Sequence, residues 1–289
     1  MTGFAEREWT SRDGLKLHAR DYAGGSGGSR LPVICLHGLT RNSKDFEQFA
    51  PRLAANGRRV LALDVRGRGR SAWDPKPDNY QPRVYARDVL DLMDKLGIAR
   101  AVFVGTSMGG LITMAVAAIR SRAVAAAILN DVGPEVGQAG IERILSYAGQ
   151  PATIETWDDA ADYVRRTNAV AFPDHSPADW QAFARRTFRD DNGRPALDYD
   201  PAIAIPLAKG QVKTRSLLAT YLFRRLARRR PTMLVRGELS DLTTAEIAGR
   251  MKRSAPRLKV VAIPGVGHAP MLTEPRAISA IDEFLRAVP

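Results

Sequence analysis

Several features that mark secreted, metal-binding or membrane-spanning proteins are scarce in this sequence of 289 residues. Its single cysteine, Cys35, cannot form an intrachain disulfide, which fits a reducing cytoplasm. No apolar run approaches the length of a membrane span, and the polar stretch Met1–Arg12 lacks the apolar region of a signal peptide. The four histidines show no zinc spacing such as His-Glu-x-x-His, and no P-loop or intact dinucleotide motif occurs. We therefore expect a cytoplasmic protein with no membrane span and no metal or cofactor.

Acidic residues are also few in comparison with basic ones. The sequence has 43 Lys and Arg against 31 Asp and Glu, a formal net charge of +12, and its densest basic cluster is Arg224–Arg230 on a predicted helix. Such a charge can serve binding to nucleic acid or to an anionic surface. No helix-turn-helix, RRM or zinc motif accompanies the cluster, so we interpret it as a solvated helix face and do not expect a nucleic-acid partner.

The stretch VFVGTSMGGL, residues Val102–Leu111, carries the strongest functional signal in the chain. A short apolar strand runs through Gly-x-Ser-x-Gly directly into a helix, which is the context of a nucleophile elbow. The turn is tight, so Gly105 and Gly109 stand where side chains would not fit, and Gly110 lets the helix pack close to neighbouring strands. Ser107 is expected to project above the sheet from a strained backbone, over a helix N-terminus that favours negative charge.

Short apolar strands alternate with amphipathic helices on both sides of this elbow. An Asp13-Gly14 turn predicts a hairpin near the N-terminus, and the apolar run Leu31–Leu36 is typical of a strand buried on both faces. The alternation predicts an α/β fold with a mostly parallel sheet and helices on both faces. The sequence Gly67-x-Gly69 does not predict a dinucleotide site, because the third glycine is missing and no helix starts after it.

The pattern changes after Pro134. From there to about Arg230 the sequence reads as amphipathic helices with no convincing strand, broken by several prolines. This predicts a helical cap inserted into the sheet domain. The predicted parts are residues 1–133, the first part of the sheet domain, 134–230, the cap, and 231–289, the second part of the sheet domain.

The cap is expected to place apolar faces over a pocket. It carries many aromatic residues, some of which would bind the apolar part of a small-molecule substrate while others pack between the cap and the sheet domain. The candidate substrate-binding residues are Trp157, Trp180 and Phe183.

Residues with the chemistry of a catalytic triad each follow a predicted strand. Ser107, Asp241 and His268 occur in this order, and the carboxyl ends of parallel strands share one edge of the sheet. A serine hydroxyl becomes an effective nucleophile when a histidine takes its proton, and a carboxylate orients the imidazole and stabilises its cation. Asp131, after the preceding strand, is the competing acid. We favour Asp241, because Asp131 stands at the turn into the cap, where a carboxylate has a ready structural role.

With these motifs the chain resembles the α/β-hydrolase superfamily, in its capped branch, over essentially its whole length. The matching pieces are the His37-Gly38 loop, Asp64-x-Arg66-Gly67-x-Gly69-x-Ser71, Gly105-Thr-Ser107-Met-Gly109-Gly110 and Gly265-Val-Gly267-His268. The resemblance implies that Ser107 is the nucleophile and His268 the base. It further implies an oxyanion hole formed by the backbone N–H groups of Leu39 and Met108, with His37 as a structural residue that braces the loop.

The acid is where the sequence departs from the family pattern. Relatives often place it three residues after the glycine that follows the seventh strand, where this chain has Ser240, and Asp241 is the next residue. A position after the seventh strand is the usual one in the family, which also favours Asp241 over Asp131.

The resemblance implies a serine hydrolase that cleaves a small, largely apolar carboxylic ester or lactone. A serine at position 107 argues against the related haloalkane dehalogenases and epoxide hydrolases, which use an aspartate. C–C bond hydrolases are an alternative, but they typically carry Asn and an aromatic residue where this chain has Thr106 and Ala269. Cofactor-free haloperoxidase-like enzymes, which share Ser-Met-Gly-Gly, are a further alternative. The non-enzymatic alternatives are a non-catalytic ligand receptor and an arginine-driven binder of nucleic acid or anionic surfaces.

Overall fold

The computed structural model describes residues 3–25, 30–150, 153–207 and 214–288. The strands are β1 (Ala5–Thr10), β2 (Lys16–Tyr22), β3 (Val33–Leu36), β4 (Val60–Asp64), β5 (Ala101–Thr106), β6 (Val124–Asn130), β7 (Phe188–Asp191), β8 (Arg194–Leu197), β9 (Thr232–Gly237) and β10 (Lys259–Ile263). The helices are α1 (Phe49–Ala55), α2 (Pro82–Lys95), α3 (Met108–Ile119), α4 (Gln138–Tyr147), α5 (Trp157–Asn168), α6 (Pro177–Thr187), α7 (Leu217–Arg229), α8 (Ala245–Ser254) and α9 (Pro275–Arg286). A membrane crossing would need a longer and more apolar helix than any in these described ranges.

Eight strands form one sheet in the order β1-β2-β4-β3-β5-β6-β9-β10. The pairs β1–β2 and β2–β4 are antiparallel, and the other pairs are parallel. The first two strands form the predicted hairpin, and Gly14 in its turn has a φ of 90°, which glycine adopts without steric cost. The prediction of a mostly parallel α/β sheet with helices on both faces is confirmed. The sheet places the carboxyl ends of β3, β5, β6, β9 and β10 along one edge.

The central strands are buried on both faces, which explains their continuous apolar sequences. Along β3, Ile34 and Leu36 face a core that α2, α3 and α8 help to build, and Val33 and Cys35 face a second core against α1 and α9. Burial raises the pKa of the Cys35 thiol far above its usual range. The thiol is therefore an inert packing group, as the apolar strand predicts.

The chain between β6 and β9 contains α4, α5, α6 and α7, which agrees with the predicted helical character of this region. The expectation that it holds no strand is wrong, since β7 and β8 pair as a two-stranded hairpin. Their turn is formed by Asn192 and Gly193, with φ values of 54° and 87°. Two positive φ angles are what a two-residue hairpin turn requires, and Asn-Gly is the sequence that adopts them most readily.

The chain between β6 and β9, which we call the inserted region, has a small core of its own and forms hydrogen bonds with the sheet domain. Trp180, Phe172 and Phe183 pack together in that core. The Asn42 side-chain amide donates to the Asp198 carboxylate at 2.8 Å across the junction. These contacts set the position of the helices above the carboxyl edge of the sheet.

Candidate active site

Ser107 lies at the turn between β5 and α3, with φ 51° and ψ −115°. Its N–H donates to the Asn130 carbonyl at 2.9 Å, which ties the turn to the neighbouring strand. A side chain at Gly105 would overlap the backbone of Gly109, and one at Gly109 would overlap the carbonyl of Leu36. The elbow expected from the sequence is therefore present, and its two flanking positions accept only glycine. A serine held with positive φ is a strained residue of the kind found at functional sites.

His268 stands between Ser107 and Asp131. Its Nε2 lies 3.0 Å from the Ser107 Oγ, and its Nδ1 lies 2.8 Å from the Asp131 Oδ2. A carboxylate only accepts hydrogen bonds, so we assign the proton to Nδ1 and the free lone pair to Nε2. In this tautomer the imidazole can take the serine proton as the hydroxyl attacks a substrate.

Asp131 directly follows β6 and is completely buried. Its Oδ2 accepts a second hydrogen bond, from the Ser240 hydroxyl at 2.6 Å, and its Oδ1 accepts one from the Gly237 N–H at 3.2 Å. The residue has a φ of 55°, which Asp and Asn tolerate better than most side chains. These contacts hold the carboxylate with one oxygen facing the imidazole of His268.

The expectation that Asp241 contacts the imidazole is wrong. Both carboxylate oxygens of Asp241 accept from the Arg143 guanidinium on α4, at 2.7 and 2.9 Å. Burial alone would raise the pKa of the Asp241 carboxyl, but hydrogen bonding and charge from Arg143 outweigh it, so the pKa lies below its ordinary value. The reason is topological. β6 adjoins the strand of the elbow, β9 is one strand further away, and the turn after β9 directs Ser240 to Asp131 and Asp241 to α4.

A second group of residues fixes the loop after β3. His37 is completely buried, and its Nε2 accepts from the Val65 N–H at 3.0 Å while its Nδ1 donates to the Gly38 carbonyl at 2.7 Å. Burial lowers the pKa of His37 to about 4, so the ring is neutral at pH 7 and keeps this pairing. The N–H of a trans peptide points away from its C=O, so this bond turns the Leu39 N–H away from His37. His37 thus braces the loop, as expected from the sequence.

The two N–H groups named as oxyanion-hole donors have no partner within the described part of the chain. Neither Leu39 nor Met108 donates its backbone N–H to another group there. Met108 is the first residue of α3, where an N–H has no intrahelical acceptor and the helix dipole favours an anion. Gly38 lies close to the elbow, since a Cβ built on it would be 3.9 Å from the Cβ of Ser107. The loop and the helix therefore approach the nucleophile from two sides.

The Arg68 side chain contacts both Leu39 and Met108. It is completely buried, Nε donates to the Leu39 carbonyl at 2.9 Å, and one terminal nitrogen lies 3.6 Å from the Met108 sulfur. The other terminal nitrogen donates to the Arg66 carbonyl and the Tyr85 hydroxyl, at 2.8 and 2.9 Å. Among the described residues no carboxylate forms an ion pair with Arg68, unlike its neighbour Arg66. The Gly67-x-Gly69 turn thus supplies a buried cation to the site, not a phosphate loop.

We expect Arg68→Met to lower kcat for ester hydrolysis by about 10- to 100-fold, with a smaller change in KM. Losing an oxyanion-hole donor costs about 10²–10³ in kcat, and this change loosens one donor without removing it. Steady-state kinetics with p-nitrophenyl acetate, on protein shown by circular dichroism to be folded, measures the effect. The matched control is Tyr85→Phe, which removes one contact of Arg68 but leaves its bond to Leu39. If both variants lose activity equally, Arg68 does not act through Leu39.

Of the three aromatic residues proposed for substrate binding, Phe183 alone lines a cavity that reaches Ser107. Trp180 is buried in the core of the inserted region, and Trp157 carries the Arg185 guanidinium 3.6 Å above its ring. Both are therefore packing residues. The expectation that Trp157 and Trp180 contact the substrate is wrong. Two cavities open at the nucleophile. The ranges described contain no group of three or more His, Cys, Asp or Glu side chains placed to hold a metal ion.

Comparison with known proteins agrees with this architecture. A family model described as the alpha/beta hydrolase fold matches residues 32–275. The chain belongs to this family. The crystal structure of an alpha/beta hydrolase from Novosphingobium aromaticivorans is similar to this chain over 100% of both chains. The two structures have a TM-score of 0.91, and their sequences are 44% identical.

Two relatives of this α/β hydrolase carry named activities. The 3-hydroxybutyrate-oligomer hydrolase of Cupriavidus necator is 33% identical over 257 residues, 87% of each protein. The 2-(acetamidomethylene)succinate hydrolase of Mesorhizobium japonicum is 27% identical over 261 residues, 90% of each protein. Both are hydrolases, and both align with this chain well beyond the elbow.

Sequence reasoning missed Arg68, noticed Ser240 without giving it a role, and preferred Asp241 to Asp131 as the acid. The turn that holds Arg68 was expected to support the mouth of the site and not to bind phosphate, but no role was assigned to the Arg68 side chain itself. Ser240 was noticed as a departure from the family pattern, and that departure was the available signal for the acid. A serine at the position of the missing carboxylate can donate to a carboxylate supplied from elsewhere, and Asp131 receives that hydrogen bond.

Proposed function

We propose that this protein is a serine hydrolase that cleaves a small, largely apolar carboxylic ester or lactone through an acyl-enzyme on Ser107. The observation that carries the proposal is the position of His268, 3.0 Å from the Ser107 hydroxyl and 2.8 Å from the Asp131 carboxylate. This is the hydrogen-bond chain that activates a serine for acyl transfer.

In the proposed reaction the Ser107 Oγ attacks the ester carbonyl carbon while Nε2 of His268 takes the hydroxyl proton. The N–H groups of Leu39 and Met108 stabilise the oxyanion, and Asp131 holds the imidazole and stabilises its cation. His268 then gives the proton to the leaving oxygen, and the C–O bond breaks. His268 next takes a proton from a water molecule as the water oxygen attacks the acyl carbon. The bond between the acyl carbon and the Ser107 Oγ breaks, and His268 returns the proton to Oγ, which releases the acid and the free serine.

The relatives support an ester substrate. The Cupriavidus necator protein is named for oligomers of 3-hydroxybutyrate, a hydroxy acid whose oligomers are joined by ester bonds, and the match covers 87% of both proteins. Linear oligoesters of this kind are therefore included among the candidate substrates. We also propose that residues 134–230 act as the cap that encloses the substrate above the carboxyl edge of the sheet.

The test is a panel of p-nitrophenyl esters of graded acyl length, lactones and linear 3-hydroxybutyrate oligomers, assayed with the full chain. We expect hydrolysis of at least one ester or lactone and, after rapid acid quenching, a peptide carrying the acyl group on Ser107 by mass spectrometry. An inactive panel would reject the proposal, as would hydrolysis with the acyl group on a different residue.

A further inference from the structure

Two cavities meet at Ser107 and differ in chemistry. The first has a volume of about 100 Å³, and its lining mixes apolar side chains such as Phe172 and Leu272 with the polar groups of Arg41, Tyr147, Tyr163, Asn168 and His268. We call it the polar chamber, because it is the more polar of the two. The second, called the apolar chamber, has a volume of about 150 Å³ and includes Leu111, Val132, Val136, Ile141, Leu145 and Leu242 in its lining. Leu39, Ser107 and Ile144 line both chambers, so a substrate carbonyl at the nucleophile faces the two together.

The position of His268 distinguishes the two halves of a bound ester. His268 lines the polar chamber and is absent from the lining of the apolar one. When an ester is cleaved, the imidazole that took the serine proton must deliver it to the leaving oxygen, which has to come within hydrogen-bond reach of Nε2. The alcohol half therefore lies on the side of His268. The acyl half extends the other way, over Met108 and Leu111.

Apart from Ser107 and the N–H groups of Leu39 and Met108, which serve the oxyanion, the polar groups in the apolar chamber are the hydroxyls of Tyr80 and Tyr85, and each of them has a hydrogen-bond partner. The Tyr80 hydroxyl donates to the Asp200 carboxylate at 2.5 Å, and the Tyr85 hydroxyl accepts from Arg68 at 2.9 Å. An acyl group with a hydroxyl or carboxylate would lose its water there without gaining a hydrogen bond. An apolar cavity of about 150 Å³ is large enough for a benzene-sized group, so it suits an acyl chain of about six carbons.

The polar chamber offers hydrogen bonds but little net charge. Arg41 is paired with Asp45, with its Nε 3.0 Å from one carboxylate oxygen, and it also donates to the Thr187 hydroxyl. Burial raises the pKa of Tyr163 to about 12, so its phenol is a neutral hydroxyl at pH 7. These groups suit a small neutral alcohol that carries hydroxyl or carbonyl groups of its own.

We infer that the apolar chamber binds the acyl half of the substrate and the polar chamber binds the leaving alcohol. The substrate class is then an ester of an apolar acid of about six carbons with a small, neutral, polar alcohol. Within the panel of the proposed function this disfavours linear 3-hydroxybutyrate oligomers, whose acyl half carries a hydroxyl and whose leaving half carries a carboxylate. This inference rests on the proposed ester hydrolysis. It adds the orientation of the bound ester. Once the alcohol has left, only the acyl half remains on Ser107, and that half lies in the apolar chamber.

The experiment compares one substitution in each chamber. Val136→Phe fills part of the apolar chamber from a half-buried position, and Thr167→Phe fills part of the polar chamber. The Thr167 hydroxyl bonds only within its own helix. It donates to the Tyr163 carbonyl at 3.0 Å and the Val164 carbonyl at 3.3 Å and accepts from the Asn168 side-chain amide at 2.9 Å, so its loss breaks no contact between elements. Each variant is assayed with p-nitrophenyl acetate and hexanoate, and with ethylene glycol and butyl monoesters of hexanoic acid.

We expect Val136→Phe to reduce the hexanoate-to-acetate ratio of kcat/KM by about tenfold or more and to change the deacylation rate of the hexanoyl-enzyme. Thr167→Phe should leave that deacylation rate within about twofold, because the alcohol has already departed, and should alter the glycol-to-butyl preference. If Val136→Phe does not fold, Leu145→Trp at the outer end of the same chamber replaces it.

The reverse pattern, with Thr167→Phe controlling acyl length and deacylation, would overturn the orientation while leaving ester hydrolysis intact. Equal effects of both variants on both preferences would also overturn it. Failure of the wild-type protein to hydrolyse any ester in the panel would instead reject the proposed function, and the orientation with it.

Discussion

Replacing Ser107 with alanine should lower kcat for ester hydrolysis by about 10⁶-fold and abolish labelling by a fluorophosphonate probe. Loss of a triad nucleophile has an effect of this size in serine hydrolases, and the remaining activity comes from the oxyanion hole and substrate binding. The probe reacts with an activated hydroxyl, and Ser107 is the serine whose Oγ lies 3.0 Å from an imidazole nitrogen of His268. Labelling is read on a fluorescent gel, and kcat from a p-nitrophenyl ester.

A matched control is Ser146→Ala on α4, since Ser146 is exposed and its hydroxyl bonds only to the Arg143 carbonyl in its own helix. This variant should keep full labelling and a kcat within about twofold of the wild-type value. Circular dichroism should show that both variants are folded. Undiminished labelling of Ser107→Ala would remove Ser107 from the role of nucleophile.

The elbow and the sheet could be predicted from the sequence because local constraints specify them. Gly105 and Gly109 are required wherever the chain turns this sharply, since a side chain at either position would overlap the backbone. The continuous apolar run of β3 predicts burial on both faces, and the structure places Val33 and Ile34 in opposite cores. Such features depend on residues close in sequence, which is why the pattern alone reveals them.

The hairpin in the inserted region was missed for a different reason. Its turn signal, Asn192-Gly193, was present, but each strand is only four residues long, β7 is polar and exposed after Phe188, and β8 contains a proline. A short strand with exposed residues has no apolar alternation to mark it. The sequence also could not distinguish the aromatic residues that only pack in the core from those that line a cavity. Trp180 and Phe183 lie on the same helix and follow the same helical spacing.

The acid could not be assigned from local sequence, because both candidates follow strands that end at the same edge of the sheet. The choice depends on which side chain the turn after β9 directs inward. That turn is closed by the Ser240 N–H, which donates to the Gly237 carbonyl at 3.1 Å, and it directs the Ser240 hydroxyl to Asp131. Asp241 is then directed to Arg143, a partner 98 residues away that no local pattern indicates.

Asp131→Asn should lower kcat by about 10⁴-fold, whereas Asp241→Asn should lower it by no more than about threefold. An amide at position 131 can donate to the Nδ1 of His268, which moves the ring proton to Nε2 and leaves no acceptor for the Ser107 hydroxyl. The fold should survive this change, because Asn tolerates the φ of 55° at this position. Asp241→Asn weakens the pair with Arg143 but removes no contact of the imidazole.

Both variants are assayed on the same p-nitrophenyl ester after thermal unfolding has shown that each is folded. Ser240→Ala provides an intermediate case, since it removes the 2.6 Å hydrogen bond to the Asp131 Oδ2 without changing the carboxylate. We expect it to lower kcat by about tenfold or less, because the imidazole keeps its partner but that partner is held less firmly. A large loss in Asp241→Asn with near-normal turnover in Asp131→Asn would return the role of the acid to Asp241. The acid would then have to reach His268 in a conformation different from the one in which Arg143 holds it.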